Sequence, residues 1–150
     1  MALVPTPVTI VTAPGPTDPA GATASAVASL SLDPPLMLVC LDHRSRTLGA
    51  VRSAGKFAIN VLSADGTPKA RAFATAIPHA EKWDGVAAVE RSGVPVLEDA
   101  LVWVVCELRD LLDGGDHTIV TGRVLELGTG PGSPLVYVDG EYRPIEVPGT

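Results

Sequence analysis

Residues 22–47 read ATASAVASLSLDPPLMLVCLDHRSRT, and their order decides the fold. Small and hydroxyl-bearing residues fill 22–32, a composition that suits an extended chain. Asp33-Pro34-Pro35 then stops that segment, because two consecutive prolines remove two backbone donors and fix the direction of the chain. Residues 36–41 form a six-residue apolar run with the length and composition of a buried strand. Residues 47–54 read as a short helix, with Ser45 or Thr47 available as N-cap and Gly55 as its stop.

The same alternation of short elements and turns extends in both directions. Residues 8–12 read as a first strand, closed by the Pro14-Gly15-Pro16 turn, and 57–62 as another. Residues 67–75 have a helical pattern that places Ala70, Phe73 and Ala74 on one side. Residues 102–113 and 118–127 are two long strand-like runs around Asp113-Gly114-Gly115-Asp116, a hairpin turn by composition. Residues 135–138 and 142–145 follow, split by Asp139-Gly140. Six or more short strands with two short helices predict a mainly β, closed or nearly closed antiparallel barrel. Nothing alternates as βαβ, and the Gly128/Gly130 pair precedes no helix, so it is a loop and no dinucleotide fingerprint.

At 150 residues, 46% of them hydrophobic, the chain reads as a single domain, 1–150, with a real core. The 15 glycines and 14 prolines are spread throughout and punctuate many elements without forming a linker. The longest clear apolar runs are six residues, against about 20 for a membrane-spanning helix. The apolar N-terminus has no basic region ahead of it and is interrupted by Pro5 and Pro7, so no signal peptide is expected. Cys40 and Cys106 sit in strand-like runs and read as buried free thiols, consistent with a reducing cytoplasm. A net charge of −6 argues against non-specific nucleic-acid binding. The charge is unevenly placed: residues 44–91 hold eight Lys/Arg against four acids, while 92–150 hold three against ten. A basic middle third in an acidic chain is a place to build an anion site.

There is no G-x-S-x-G, Walker A or H-E-x-x-H pattern, and His43, His79 and His117 are too dispersed for a local metal signature. Any chemistry therefore points to a cofactor. Thr23, Ser25, Ser29 and Ser31 share parity, so one extended strand would project all four hydroxyls from one face. Such a row is either an exposed polar edge or a lining for a cofactor's polar rim. Ser45, Arg46 and Thr47 stand where a strand ends and a helix begins, a position suited both to capping and to binding phosphate. Lys82 and Trp83 offer a second cation and an aromatic wall, and His117 opens a strand after the Gly114-Gly115 turn.

These segments resemble, in order, the short-chain flavin reductases, the FMN-binding split-barrel reductases of two-component monooxygenases. The matching residues are Val8 to Thr12, Thr23-Ala24-Ser25, Ser29-Leu30-Ser31-Leu32-Asp33-Pro34-Pro35, Phe57 to Leu62, Gly115-Asp116-His117-Thr118-Ile119, and Pro134 to Tyr137 with Tyr142-Arg143-Pro144. The resemblance implies an antiparallel Greek-key split β-barrel and a homodimer. It implies binding of FMN or FAD, reduction by NADH or NADPH, and a flavin-dependent monooxygenase as partner. By position, Thr23, Ala24 and Ser25 would contact the ribityl chain and the N5 side of the ring, and Ser29 and Ser31 the pyrimidine edge. Cys40 and Asp42 would flank the cofactor. Ser45, Arg46 and Thr47 would hold the phosphate with Lys82 nearby. His117 and Tyr142 would meet the nicotinamide.

The sequence also departs from the family pattern. Only a few residues precede Val8, where members usually carry a helix, and Pro7 stands at a usual Gly and Ala22 at a common Met. Two other readings fit the residues: a non-enzymatic flavin-binding or storage barrel, and a related reductase of another acceptor such as a corrinoid or ferric complex.

Overall fold

A computed structural model describes residues 1–149. The strands, in chain order, begin with β1 (Thr6–Pro7), β2 (Thr9–Ala13), β3 (Ala20–Ala24), β4 (Val27–Leu32) and β5 (Pro35–Asp42). Helix α1 (Arg46–Ala54) leads to β6 (Lys56–Val61), and a 3-10 turn (Ala64–Gly66) leads into α2 (Thr67–Phe73) and α3 (His79–Lys82). The chain continues through β7 (Ala88–Arg91), β8 (Val94–Leu97), β9 (Val102–Gly114), β10 (His117–Thr129), β11 (Leu135–Val138) and β12 (Glu141–Pro144).

Seven strands form one antiparallel sheet in the order β3-β2-β6-β9-β10-β5-β4. Its two outermost strands, β3 and β4, are neighbours in sequence, joined only by Ser25-Ala26. From Ala24 to Val27 a fully extended chain spans at most about 11 Å. The sheet must therefore curl until its edges are brought together, and the Cys40 amide, donating to the Ala26 carbonyl at 2.9 Å, extends the β4–β5 ladder up to the link. The result is the antiparallel split barrel expected from the sequence. The single extended segment expected over 22–32 is corrected: the chain breaks at Ser25-Ala26, β3 pairs with β2, and β4 pairs with β5. A bulge between Ser29 and Ser31 shifts the parity again, so the four hydroxyls do not share a face.

Inside the barrel, Val11, Val39, Leu41, Phe57, Ile59, Cys106 and Val120 are each 3% exposed or less. Helix α1 closes one end by burying Leu48 and Val51, and its C-terminus turns at Gly55, whose φ of 67° is the left-handed cap the sequence suggested. Each such aliphatic side chain contributes about 1.5–3 kcal/mol by leaving water. A second cluster, with Ile10, Leu62, Phe73, Leu97 and Leu135, lies under α2 and the small sheet β1-β11-β12. Strand β2 is buried at every position because Val11 faces one cluster and Ile10 the other. Burial holds the Cys106 thiol up at about 12, and both cysteines are free.

The β7–β8 hairpin was not apparent in the sequence. Ser92 and Gly93 both take positive φ, the geometry of a two-residue I′ turn, and Val94 and Val96 pack on Ala58 and Val105. The hairpin is fixed by Asn60, which is fully buried. Its Nδ2 donates to the Ile10 carbonyl at 2.9 Å and to Thr12 Oγ1 at 3.1 Å, and its Oδ1 accepts from the Leu97 amide at 2.9 Å. Asn60→Leu strands that amide and removes all three bonds, so urea denaturation is expected to show a loss of about 2–4 kcal/mol.

Candidate active site

The rim of the barrel between β3, the start of α1 and the α2–α3 segment carries a cavity of about 480 Å³. Three features of the chain bring its walls together. The β5 strand ends at Asp42, and the turn to α1 delivers Arg44, Ser45, Arg46 and Thr47 to the rim. Gly21 on β3 lets the Phe73 ring approach to where a Cβ would lie only 2.5 Å from it. Phe73 in turn meets Trp83 edge to face, with ring centroids 5.2 Å apart. Lys82 is buried and donates to the Gly21 carbonyl at 3.1 Å and the Phe73 carbonyl at 3.5 Å, tying α3 to β3 and to the end of α2. Burial pushes its ammonium below the usual lysine range, and Arg46 adds to the effect.

The cavity is set up for an anion. Arg44, Arg46 and Lys82 line it against one carboxylate, Asp42, together with His79, whose imidazole is pushed below the usual histidine range by burial and by Lys82 and Arg46. That carboxylate is already engaged by Arg44, through Nε at 3.1 Å and Nη2 at 3.1 Å, and these bonds hold it far below the ordinary carboxylate range. Ser45 is the N-cap of α1 yet makes no side-chain cap bond. Thr47 is 1% exposed, and its Oγ1 has no hydrogen-bond partner among the described residues. A buried hydroxyl without a partner is costly, and the first amides of a helix have no partner within it. Both features fit a phosphate at this point. Arg46 reaches across to donate to the Ala76 carbonyl at 3.2 Å and to the Ile77 carbonyl, placing its charge on the wall.

Thr23 and Ala74 are shared with an adjoining cavity of about 170 Å³, lined also by Val8, Ala24, Ser25, Tyr137 and Tyr142. Thr23 Oγ1 donates to the Ala70 carbonyl at 2.6 Å, which leaves its lone pairs for a ligand. The two tyrosine rings lie 5.1 Å apart, and Arg71 sits 5.9 Å over Tyr142. His117 pairs with Asp42 across β10 and β5. Its Nδ1 lies 2.7 Å from an Asp116 carboxylate oxygen; a carboxylate only accepts, so Nδ1 is the donor and Nε2 is the nitrogen left for a ligand.

Of the residues singled out from the sequence, Thr23, Asp42, Ser45, Arg46, Thr47 and Lys82 thus meet at one cavity, and Ala24, Ser25 and Tyr142 at its neighbour. Ser29, Ser31, Cys40 and His117 line neither: the two serines lie on β4, Ser29 exposed and Ser31 half-buried, Cys40 sits on β5 beside Ala26, and His117 opens β10 next to Asp42, outside both cavities. Two wall residues, Arg44 and His79, went unread. Arg44 was visible only as one charge in the basic third, and His79 reaches the site through the fold of the α2–α3 segment.

The fold and site thus define an antiparallel split barrel with a cationic cavity at the start of a helix. Residues 1–146 match the family described as the flavin reductase like domain. The reductase component of a 4-nitrophenol 4-monooxygenase/4-nitrocatechol 2-monooxygenase from Rhodococcus opacus is 44% identical over 135 residues, covering 90% of this chain and 72% of that protein. A flavin reductase (NADH) from Kitasatospora aureofaciens is 40% identical over 97% of this chain and 80% of its own. The NADH:FAD oxidoreductase SgcE6 of Streptomyces globisporus superposes with a TM-score of 0.89 at 34% identity, over 97% of this chain and 89% of that one. The chain belongs to this family of flavin reductases.

Replacing both hydroxyls, Ser45→Ala with Thr47→Val, is expected to weaken FMN binding at least tenfold while riboflavin, which has no phosphate, stays within about twofold, as read by calorimetric titration.

Proposed function

We propose that this protein transfers hydride from NADH to FMN or FAD and supplies the reduced flavin to a partner monooxygenase. The observation that carries the reading is the cationic cavity at the start of α1, with the unpartnered Thr47 hydroxyl in its wall. When bound, the flavin supplies the hydride acceptor and NADH the hydride, leaving NAD⁺ and reduced flavin. The protein's own part is binding and alignment, because holding donor and acceptor in reacting geometry accounts for much of the rate of such a step.

In this reading Ser45, Thr47 and the first amides of α1 hold the flavin phosphate, and Arg44 and Arg46 balance its charge. Lys82 acts as a buried tie that keeps the cavity wall in place and adds positive potential. Thr23, Ala24 and Ser25 form the thin wall along which the ribityl chain and the ring lie. Tyr142, whose hydroxyl is pushed up by burial and stays neutral, offers an aromatic face with a polar tip. His117 is a positioning residue for the nicotinamide, held in one tautomer by Asp116. Cys40, Ser29 and Ser31 line neither cavity and are assigned no role in them. Homodimer formation is supported by Leu30 and Leu32 on β4, exposed by 47% and 90%.

Purified protein is expected to oxidise NADH at a rate that rises with added flavin and saturates; no oxidation despite bound flavin would leave a binding barrel without reductase activity. His117→Ala is expected to raise the KM for NADH at least fivefold and leave the flavin Kd within about twofold. Unchanged NADH kinetics would return His117 to the surface.

A further inference from the structure

Beyond the phosphate cradle, on the other side of Arg46 and His79, lies a third cavity of about 550 Å³. Arg46 and His79 belong to the walls of both, so the two are consecutive chambers of one trough. The chemistry of the third chamber differs from that of the cradle. Its walls are small and largely apolar, with Pro14, Pro16, Gly49 and Ala50, and Asp18 and Ser53 add polar groups.

Three observations say that this space is kept for a ligand. First, the positions of α1 that line it are Arg46, Gly49, Ala50, Ser53 and Ala54, spaced three and four apart and therefore one face of the helix. After the arginine, every side chain on that face is small. Second, Gly49 sits inside the helix, where glycine is less stable than alanine, and its φ is not positive. A Cβ there would meet no atom within 4 Å, so neither backbone conformation nor packing in the fold accounts for the glycine. Third, both ring nitrogens of His79, on the wall between the chambers, are buried and have no hydrogen-bond partner among the described residues.

We infer that this chamber takes the adenylate half of FAD, so that the protein binds FAD in preference to FMN. The inference rests on the phosphate assignment above. With the first phosphate at Ser45 and Thr47, the second passes Arg46 and His79. The adenine then enters a chamber with apolar walls for its faces and polar groups for its edge. FMN ends at the cradle and leaves the chamber to water.

Calorimetric titration of the whole chain with FMN and with FAD tests this without reference to turnover. FAD is expected to bind at least tenfold more tightly than FMN. Gly49→Phe and Ser53→Trp each fill the chamber, Ser53→Trp from an exposed position of α1 that leaves the core untouched. Each is expected to bring FAD to within about threefold of FMN while FMN stays within twofold of the parent. Gly49→Ala, adding one methyl, is expected to keep the preference. FMN binding as tightly as FAD in the parent, or a folded Ser53→Trp protein that still prefers FAD tenfold, overturns the inference and leaves the reductase reading intact. Failure of both flavins to bind overturns both.

Discussion

The two-residue link between β3 and β4 is the constraint on which the rest of the molecule depends. It joins the opposite edges of a seven-stranded sheet, so the sheet has no freedom to stay open. Closure gives the inner faces of β2, β5, β6, β9 and β10 a common interior, which α1 seals with Leu48 and Val51. It also sets the start of α1 at the same rim as Thr23 on β3, although 22 residues lie between Thr23 and Arg46 in the chain. The cavity is therefore a product of closure, and its cationic character comes from where the basic middle third of the sequence happens to return to the rim.

The site spends structural features that a purely structural rim would not need. A buried threonine hydroxyl is left without a partner, an N-cap serine makes no cap bond, and a lysine is buried against two carbonyls. Each is unfavourable or neutral for folding taken alone. Together they place donors and positive charge at the start of a helix, where an anion has most to gain. The acidic remainder of the chain does not cancel this, because Asp42 is the one acid among the residues that line the cavity and none of the acids of 92–149 reaches it.

Much of this was legible in the sequence where local chemistry decides the outcome. The Asp33-Pro34-Pro35 break, the buried run of β5, the Gly55 cap and the β9–β10 hairpin all follow from residue type and spacing. Ser45, Arg46 and Thr47 could be placed at a helix start for the same reason. The parity argument over Thr23, Ser25, Ser29 and Ser31 failed because period-two reasoning assumes an unbroken strand, and a kink at Ser25-Ala26 with a bulge after Ser29 interrupts it twice. The β7–β8 hairpin was hidden because Ala88 to Arg91 is exposed and carries no apolar alternation; only Ser92-Gly93 announces the turn. His79 acquires meaning only through tertiary packing, since nothing within its own segment links it to α1; Arg44, in the turn just ahead of α1, was visible only as one charge of the basic third.

The central claim is that the start of α1 is where a flavin phosphate is held. Diffraction from crystals grown with FMN tests it most directly. The account predicts phosphate oxygens within about 3 Å of Thr47 Oγ1 and of the first amides of α1, with the ring along Thr23, Ala24 and Ser25. A flavin bound with its phosphate away from Ser45, Arg46 and Thr47 would contradict it.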